Sequence, residues 1–439
     1  MQRLWFVALG LLLLSMAASA QDGGFRNEEL KIDPPTSKEM RDFDLMRTGM
    51  FPDPAATETM RADEYLKRLE TQEAQATLTK VVQWLIYRLT WVNVLEARES
   101  SSSEIMEDLL GPARAAGLQV THGPSKLFPT RDRPGDPEGL IRFERQQAYV
   151  QVVAPIVVQA CRDVLQHKEP ICRINAARIL VRLAEMGRAE TAEPFIEIIT
   201  RRDEHNAVRH WASQGLGDLF EQYAAAGAFP NDQGGERFRR ALTVLYDWTE
   251  GLTKVDQPMD PAEQRAIGFI RRFAVRGLGS AQRPVVAEAQ GARTGPVAEL
   301  LLDIMNNEGS RIKPPATWME RVDAAAALCR LNPRLSTNYQ PDFVAAQVGR
   351  FIASVGNESV NDRERNRERW GFFALQFKAG MDRLIAATDN TPAGAYVRQV
   401  AAQAAPVYEL LDAGKNPTSA LSLRAWLDRN PPTGQTLFK

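Results

Sequence analysis

Hydrophobic positions along most of this chain recur with the 3.6-residue period of an α-helix. The pattern is densest over residues 63–98, where neither Gly nor Pro intervenes. There Val81, Val82, Trp84, Leu85, Ile86, Tyr87, Leu89, Trp91, Val92, Val94 and Leu95 leave only a narrow polar stripe of Gln83, Thr90 and Asn93. A helix apolar on most faces is buried or covered by a partner. The spacing of Trp84, Tyr87 and Trp91 sets three aromatics on one face, and core packing accounts for them. From Ile141 onward one helix-length segment follows another, with short breaks at Pro170, Gly187, Asn231–Gly235, Pro258–Pro261, Gly291–Pro296, Pro314–Pro315 and Pro333. No alternating pattern of useful length competes with them, so the expected class is all-α with essentially no β-sheet.

Two stretches depart from the helical pattern. Residues 21–62 are polar and broken by Pro34, Pro35, Pro52 and Pro54, which predicts an extended arm with one short helix near Lys38–Met46. Residues 100–140 carry the serine run Ser100–Ser103 and then Gly111, Gly117, Gly123, Pro124, Pro129, Pro134, Gly135 and Pro137. Segments of that length without periodicity are uncommon in compact domains and are often functional, so an irregular loop is expected there. The resulting division is an N-terminal helix with this loop over 63–140, a helical array over 141–430 and a flexible tail over 431–439.

The first twenty residues follow different rules. Arg3 precedes an apolar run of eleven residues, Leu4 to Leu14, and small residues lead to Ala18-Ser19-Ala20 before Gln21. A bilayer-spanning helix needs about twenty apolar residues, so the segment reads as a cleaved export signal with its cut after Ala20. The expected location is the periplasm or cell envelope, or outside the cell. No later segment reaches that apolar length, so no stable membrane span is expected after cleavage. The first cysteine is Cys161, which leaves no N-terminal Cys for a lipid anchor.

Within the helical region four segments repeat one spacing of Arg, Ala three residues later and Leu seven residues after the Arg. They are Arg173/Ala176/Leu180, Arg209/Ala212/Leu216, Arg271/Ala274/Leu278 and Arg321/Ala324/Leu328. Offsets of three and seven align these side chains along one helix face. The stretches CRINAARILVRLAEMG and AVRHWASQGLGDLF resemble the second helices of HEAT repeats, a family of α-solenoids built from antiparallel helix pairs. The likeness extends over residues 141–410, and exported bacterial proteins of this kind are the expected relatives. The resemblance implies a solenoid in which each pair buries its apolar stripe against its neighbours. It also implies a structural role for the repeat arginines, in a ladder with neighbouring carboxylates.

Composition and candidate chemistry alter this picture little. The 54 Lys and Arg against 55 Asp and Glu give a formal charge of −1, so no general affinity for nucleic acid is expected. Of the four histidines (His122, His167, His205 and His210), the closest two are five residues apart and share no helix face. No H-E-x-x-H, C-x-x-C or C-x-x-C-H occurs, and no metal or cofactor is expected. A hairpin between the helices bearing Cys161 and Cys172 can bring those thiols together, and sequence leaves open a disulfide or two buried thiols. Cys329 reads as core. Gly215-Leu216-Gly217 and Gly277-Leu278-Gly279 fall on helices, so they are no phosphate loops. The run Asn361–Arg369 reads as a solvated helix with Glu–Arg pairs, and Trp370, Phe373 and Phe377 as core.

With no catalytic motif in view, the expected function is an exported, non-enzymatic scaffold that binds another protein. The competing expectation is an exported enzyme or small-molecule binder whose pocket lies between the N-terminal helices and the array. Trp84, Arg88, Trp91 and His122 would be its first residues.

Overall fold

A computed structural model describes residues 25–26, 28–51, 60–91, 101–115, 137–256, 259–289, 292–307, 311–336, 338–362, 367–389 and 391–439. Among them are sixteen α-helices and a single two-stranded hairpin, Ala287–Ala289 (β1) paired antiparallel with Ala292–Thr294 (β2). The fold is all-α. Beyond the essentially absent sheet expected from the sequence, only this hairpin appears. The described residues form two compact units divided between Gln222 and Tyr223. The export signal expected over residues 1–20 lies outside the described residues, as do residues 116–136 of the 100–140 segment.

Unit one contains α1 (Ser37–Arg47), α2 (Ala62–Leu69), α3 (Gln72–Tyr87), α4 (Ser101–Ala115), α5 (Pro137–Val164), α6 (Pro170–Glu185), α7 (Ala192–Thr200) and α8 (Asn206–Tyr223), the last running one residue past the division. The short helix expected in the arm is α1. It starts with a reciprocal box in which the Thr36 hydroxyl accepts from the Glu39 amide and the Glu39 carboxylate accepts from the Thr36 amide. The long apolar stretch is two helices rather than one. Glu70 ends α2, and the Thr71 hydroxyl caps α3 by accepting from Ala74 N–H.

The serine run corrects the expectation of an irregular segment. Ser101–Ser103 open α4, whose Ser102, Ile105, Met106 and Leu109 are buried where it packs on α1, α3 and α6. Serine is a poor helix former in the interior but suits a first turn, where its hydroxyl can serve free N–H groups. Prolines that read as breaks are also helix starts: Pro137, Pro170, Pro261 and Pro341 are first residues of their helices. The missing N–H costs nothing at that position.

Unit two contains α9 (Glu236–Gly251), α10 (Pro261–Ser280), the hairpin, α11 (Val297–Asn306), α12 (Trp318–Arg330), α13 (Pro341–Asn361), α14 (Arg367–Thr388), α15 (Gly394–Asp412) and α16 (Ser419–Arg429). Helix α12 packs on α10, α11 and α14, while α13 packs on α15 and α16. The charged run Asn361–Arg369 is not the single solvated helix expected. Asn361 ends α13, Arg367 starts α14, and the Asp362 carboxylate between them accepts from Arg369 and from the Trp370 indole, both at 2.7 Å. The eight small and leucine positions of the repeat, Ala176, Leu180, Ala212, Leu216, Ala274, Leu278, Ala324 and Leu328, are all fully buried. They belong to the apolar core.

The C-terminal segment corrects a second expectation. Residues 431–439 are docked rather than flexible, because Leu437 and Phe438 carry apolar surface that packing removes from water. Gln340 N–H donates to Leu437 O and Lys439 N–H to Asn338 O, both at 2.9 Å. The buried Asp342 carboxylate accepts from Gly434 N–H, and the Arg293 guanidinium of β2 lies 4.3 Å from the Phe438 ring centre. Replacing Phe438 by Ala is expected to cost about 2–4 kcal/mol in urea unfolding, the range for emptying an aromatic site. A loss below about 0.5 kcal/mol would mean that the segment is not part of the core.

Candidate functional site

Arg173, Arg209 and Arg321 sit one turn into their helices and Arg271 near the middle of its own, and each reaches a backbone carbonyl at or just beyond the end of an earlier element. Arg173 of α6 is 3% exposed and donates to His167 O and Lys168 O, each at 2.6 Å, in the connection that follows α5. Arg209 of α8 donates to Arg201 O and Arg202 O, just beyond α7. Arg271 of α10, with no exposed surface, donates to Leu252 O beyond α9 at 3.2 Å and to Pro314 O at 3.1 Å. Arg321 of α12 donates to Met305 O in the last turn of α11 at 2.8 Å. The last carbonyls of a helix have no intrahelical partner and carry partial negative charge. A guanidinium, with five donors in a rigid fork, satisfies several at once.

The carboxylate ladder implied by the resemblance appears at two of the four positions. Glu204 has no exposed side-chain surface and accepts from Arg173 at 2.8 Å, from Arg201 at 3.3 Å and from His205 N–H at 2.9 Å. Glu320 is equally buried and accepts from Arg271 at 2.5 Å, while its other oxygen accepts from Thr317 N–H at 2.7 Å in the capping box of α12. A Cβ on Gly268 would stand 2.8 Å from Glu320 Oε2, so the absence of a side chain there admits the carboxylate. Arg209 and Arg321 both donate to carbonyls, and Arg321 also lies 4.2 Å from the Trp318 and 4.9 Å from the Phe351 ring centre.

The two buried ion pairs each underlie a short parallel bridge. Beside Arg173, Arg26 N–H donates to Gln166 O and Lys168 N–H returns to Arg26 O, while Phe25 lies 4.0 Å from the Arg173 guanidinium. Beside Arg271, Val255 N–H donates to Lys313 O and Lys313 N–H returns to Thr253 O. Burying charge is costly unless it is paired and fully hydrogen-bonded, and both joints meet that condition.

Further arginines are also engaged within the fold. Arg272 and Arg276 both grip the buried Asp323, at 2.6 and 2.9 Å. Arg271 is interior, and Arg201 donates to Leu165 O. The three cysteines are free and buried, so the Cys161–Cys172 bridge left open by the sequence is not formed. Each thiol sits in the packed apolar interior on its own helix, and burial pushes the Cys172 and Cys329 pKa values up to about 12 and that of Cys161 higher still. Thiols so far from ionising are poor nucleophiles. Among the described residues no group of three or more His, Cys, Asp or Glu is placed to hold a metal ion, and no helix is long and apolar enough to cross a membrane.

The residues of the competing pocket come together only in part. Trp84 and Trp91 meet edge to face at 6.2 Å, with Arg88 5.3 Å from the Trp84 ring centre. Tyr87 instead donates to Asp163 of α5 at 2.5 Å, and His122 lies outside the described residues. The arm covers this cluster: Trp91 donates to Leu30 O at 3.2 Å and Leu30 N–H to the Thr90 hydroxyl at 2.9 Å. Glu29, Lys31, Ile32, Asp33 and Trp91 border a cleft of about 770 Å³.

Sequence reasoning missed two features. The first is a cleft of about 300 Å³ in unit two between α9, the hairpin and the Arg283 backbone, bordered by Arg239, Arg283, Phe238, Leu242, Val285 and Leu335. Its lining is drawn from separate segments between Gly227 and Leu335, and no local motif marks them. The second is Asp218 of α8, whose Oδ2 is buried without a hydrogen-bond partner. Burial first, then the Glu185 charge, raises its pKa to about 8 against the opposing pull of Arg182. His210, on the same helix, moves the other way, down to about 4, through burial.

A carboxyl whose folded pKa lies above its unfolded value near 3.9 keeps a proton that the unfolded chain has lost. Its contribution to stability is therefore present below about pH 4 and declines as pH rises towards about 8. Asp218→Asn should remove that decline, by at most about 1.4 kcal/mol per pH unit, and the variant should be the more stable protein at pH 8.5. Urea unfolding of both proteins from pH 4.5 to 8.5 checks this; a difference independent of pH would refute it.

No protein-family model, curated protein or solved structure matches the chain, so function is read from its own residues.

Proposed function

We propose that this chain is an exported, non-enzymatic scaffold that holds a partner protein on HEAT-like helix pairs. One observation carries the reading: the same arginine, at the same place relative to Ala and Leu on four helices, ties the end of an earlier element to its own helix. A joint used four times is the economy of a repeat architecture, in which each pair is stabilised chiefly by its neighbours. Repeat arrays present long surfaces of shallow contacts, which suit protein partners better than small substrates. The conspicuous arginines of the sequence are then internal fixtures, and partner recognition falls to the helix faces and connections left exposed. The leader-like pattern of residues 1–20 supports an activity beyond the cytoplasmic membrane.

The test is chemical crosslinking of the tagged full-length chain in its native cells, followed by fractionation, N-terminal sequencing and mass spectrometry. The reading expects a mature N-terminus at Gln21 in the envelope or medium. It also expects one protein crosslinked at near-equal stoichiometry that re-forms a complex from purified components. A chain that keeps residues 1–20 in the cytoplasm, or that purified components show to bind no protein, would overturn it.

A further inference from the structure

We propose that the cleft of unit two is a binding site for a small organic carboxylate with a short apolar body, held by Arg283 and Arg239. This site is independent of the scaffold reading.

The argument starts from Arg283. Every other deeply placed arginine described above is matched to carbonyls or carboxylates, whereas Arg283, half-buried, has no hydrogen bond or ion pair among the described residues. Its nearest aromatic, Phe238, is 6.0 Å from the guanidinium at ring centre, at the outer limit of a useful contact. Burial lowers its pKa, with no neighbouring acid to offset the effect. A guanidinium removed from water and left without a counter-charge is the arrangement an incoming anion relieves.

The main chain on either side of Arg283 is fixed before any ligand arrives. Gln282 adopts a left-handed conformation (φ 57°), and its carbonyl accepts from Asn332 N–H at 2.9 Å, while Pro284 O accepts from Ala298 N–H at 3.0 Å. Arg283 is thus pinned on both sides. Gly227, at φ 64°, supplies the wall: a Cβ there would stand 1.8 Å from Arg283 Nη2. Glycine fits that backbone conformation and lets the guanidinium lie against the main chain.

The remaining walls define the ligand. Phe238, Leu242 and Val285 are buried apolar residues that form the floor. Arg239 adds a second guanidinium, bonded only weakly to Gly235 O at 3.4 Å. The one carboxylate at the cleft, Glu288, accepts from the Ser336 hydroxyl at 3.0 Å. Two guanidiniums against one carboxylate leave a single positive charge, which matches a monoanion. A volume of about 300 Å³ sits at the small end of ligand pockets and suits a compact molecule. The planar fork of a guanidinium binds a carboxylate through two parallel hydrogen bonds. The free N–H groups at the start of α9 do not compete for the anion, because Asp232 accepts from Arg237 N–H and Phe238 N–H, each at 2.9 Å.

Isothermal titration of the full-length mature chain with octanoate, octanamide and inorganic phosphate tests the site. Expected are one saturable octanoate per chain and binding at least about tenfold weaker for octanamide, which lacks the charge, and for phosphate, which lacks the apolar body. Arg283→Gln should weaken octanoate at least about tenfold and Arg239→Gln by a smaller factor. Arg398→Gln, which removes an exposed charge elsewhere, should leave binding unchanged. Because Arg283 supports no bond in the fold, Arg283→Gln should keep the wild-type circular dichroism and thermal midpoint. The proposal is overturned by absence of saturable octanoate binding, by equal binding to Arg283→Gln, or by phosphate binding as tightly as octanoate.

Discussion

A guanidinium keeps its charge at any pH a protein meets, so placing one in the interior commits the surrounding chain to satisfying it. This fold meets that commitment with its own loose ends. Helix ends and the connections after them carry carbonyls that no helix satisfies, and Arg173, Arg209, Arg271 and Arg321 collect them from one position on four helices. Where two further segments cross, a buried glutamate completes the charge balance and a two-bond parallel bridge forms alongside. The leucine and alanine seam then supplies the apolar contact that the joint has positioned. Each joint does what neither packing nor hydrogen bonding does alone, because it sets both the angle of the connection and the depth of the helix.

Much of this architecture is legible from residue order. Helical periodicity sets the class, and the Arg-Ala-Leu spacing marks both the seam and the arginines that hold it. Local rules account for what the pattern misplaces. Ser101–Ser103 look like loop by composition yet start α4, since a first turn tolerates serine and buries Ile105 and Leu109 behind it. Leu437 and Phe438 look like a tail by position yet are buried, since chain ends dock wherever an apolar surface and free backbone groups receive them. The partners of the arginines were less legible. Glu204 and Glu320 stand 31 and 49 residues from Arg173 and Arg271, and nothing local distinguishes them from surface acids.

The same physics separates fixtures from ligand groups. Arg173 and Arg271 are unavailable to any partner because their donors are spent within the fold. Arg283 differs in that its half-buried guanidinium is presented to a cleft where no described residue receives it. Arg283 lacks the Arg-Ala-Leu spacing of the other two, but that absence alone does not mark it as a ligand group. The difference lies in what the fold brings within hydrogen-bond reach, and Gly227, 56 positions earlier than Arg283, is as much a part of that environment as any charged residue.

The central claim is that the repeat arginines are internal joints, and amide hydrogen exchange of Arg271→Met tests it most directly. Arg271 lies against Leu252 O and Pro314 O, next to the bridge in which the Val255 and Lys313 amides are bonded. Removing the guanidinium leaves Glu320 buried and uncompensated, a change that costs about 3–5 kcal/mol in comparable settings. The account predicts that protection is lost first at Val255 and Lys313, with the amides of α14 to α16 affected least. Unchanged protection at Val255 and Lys313 in the folded variant would contradict it.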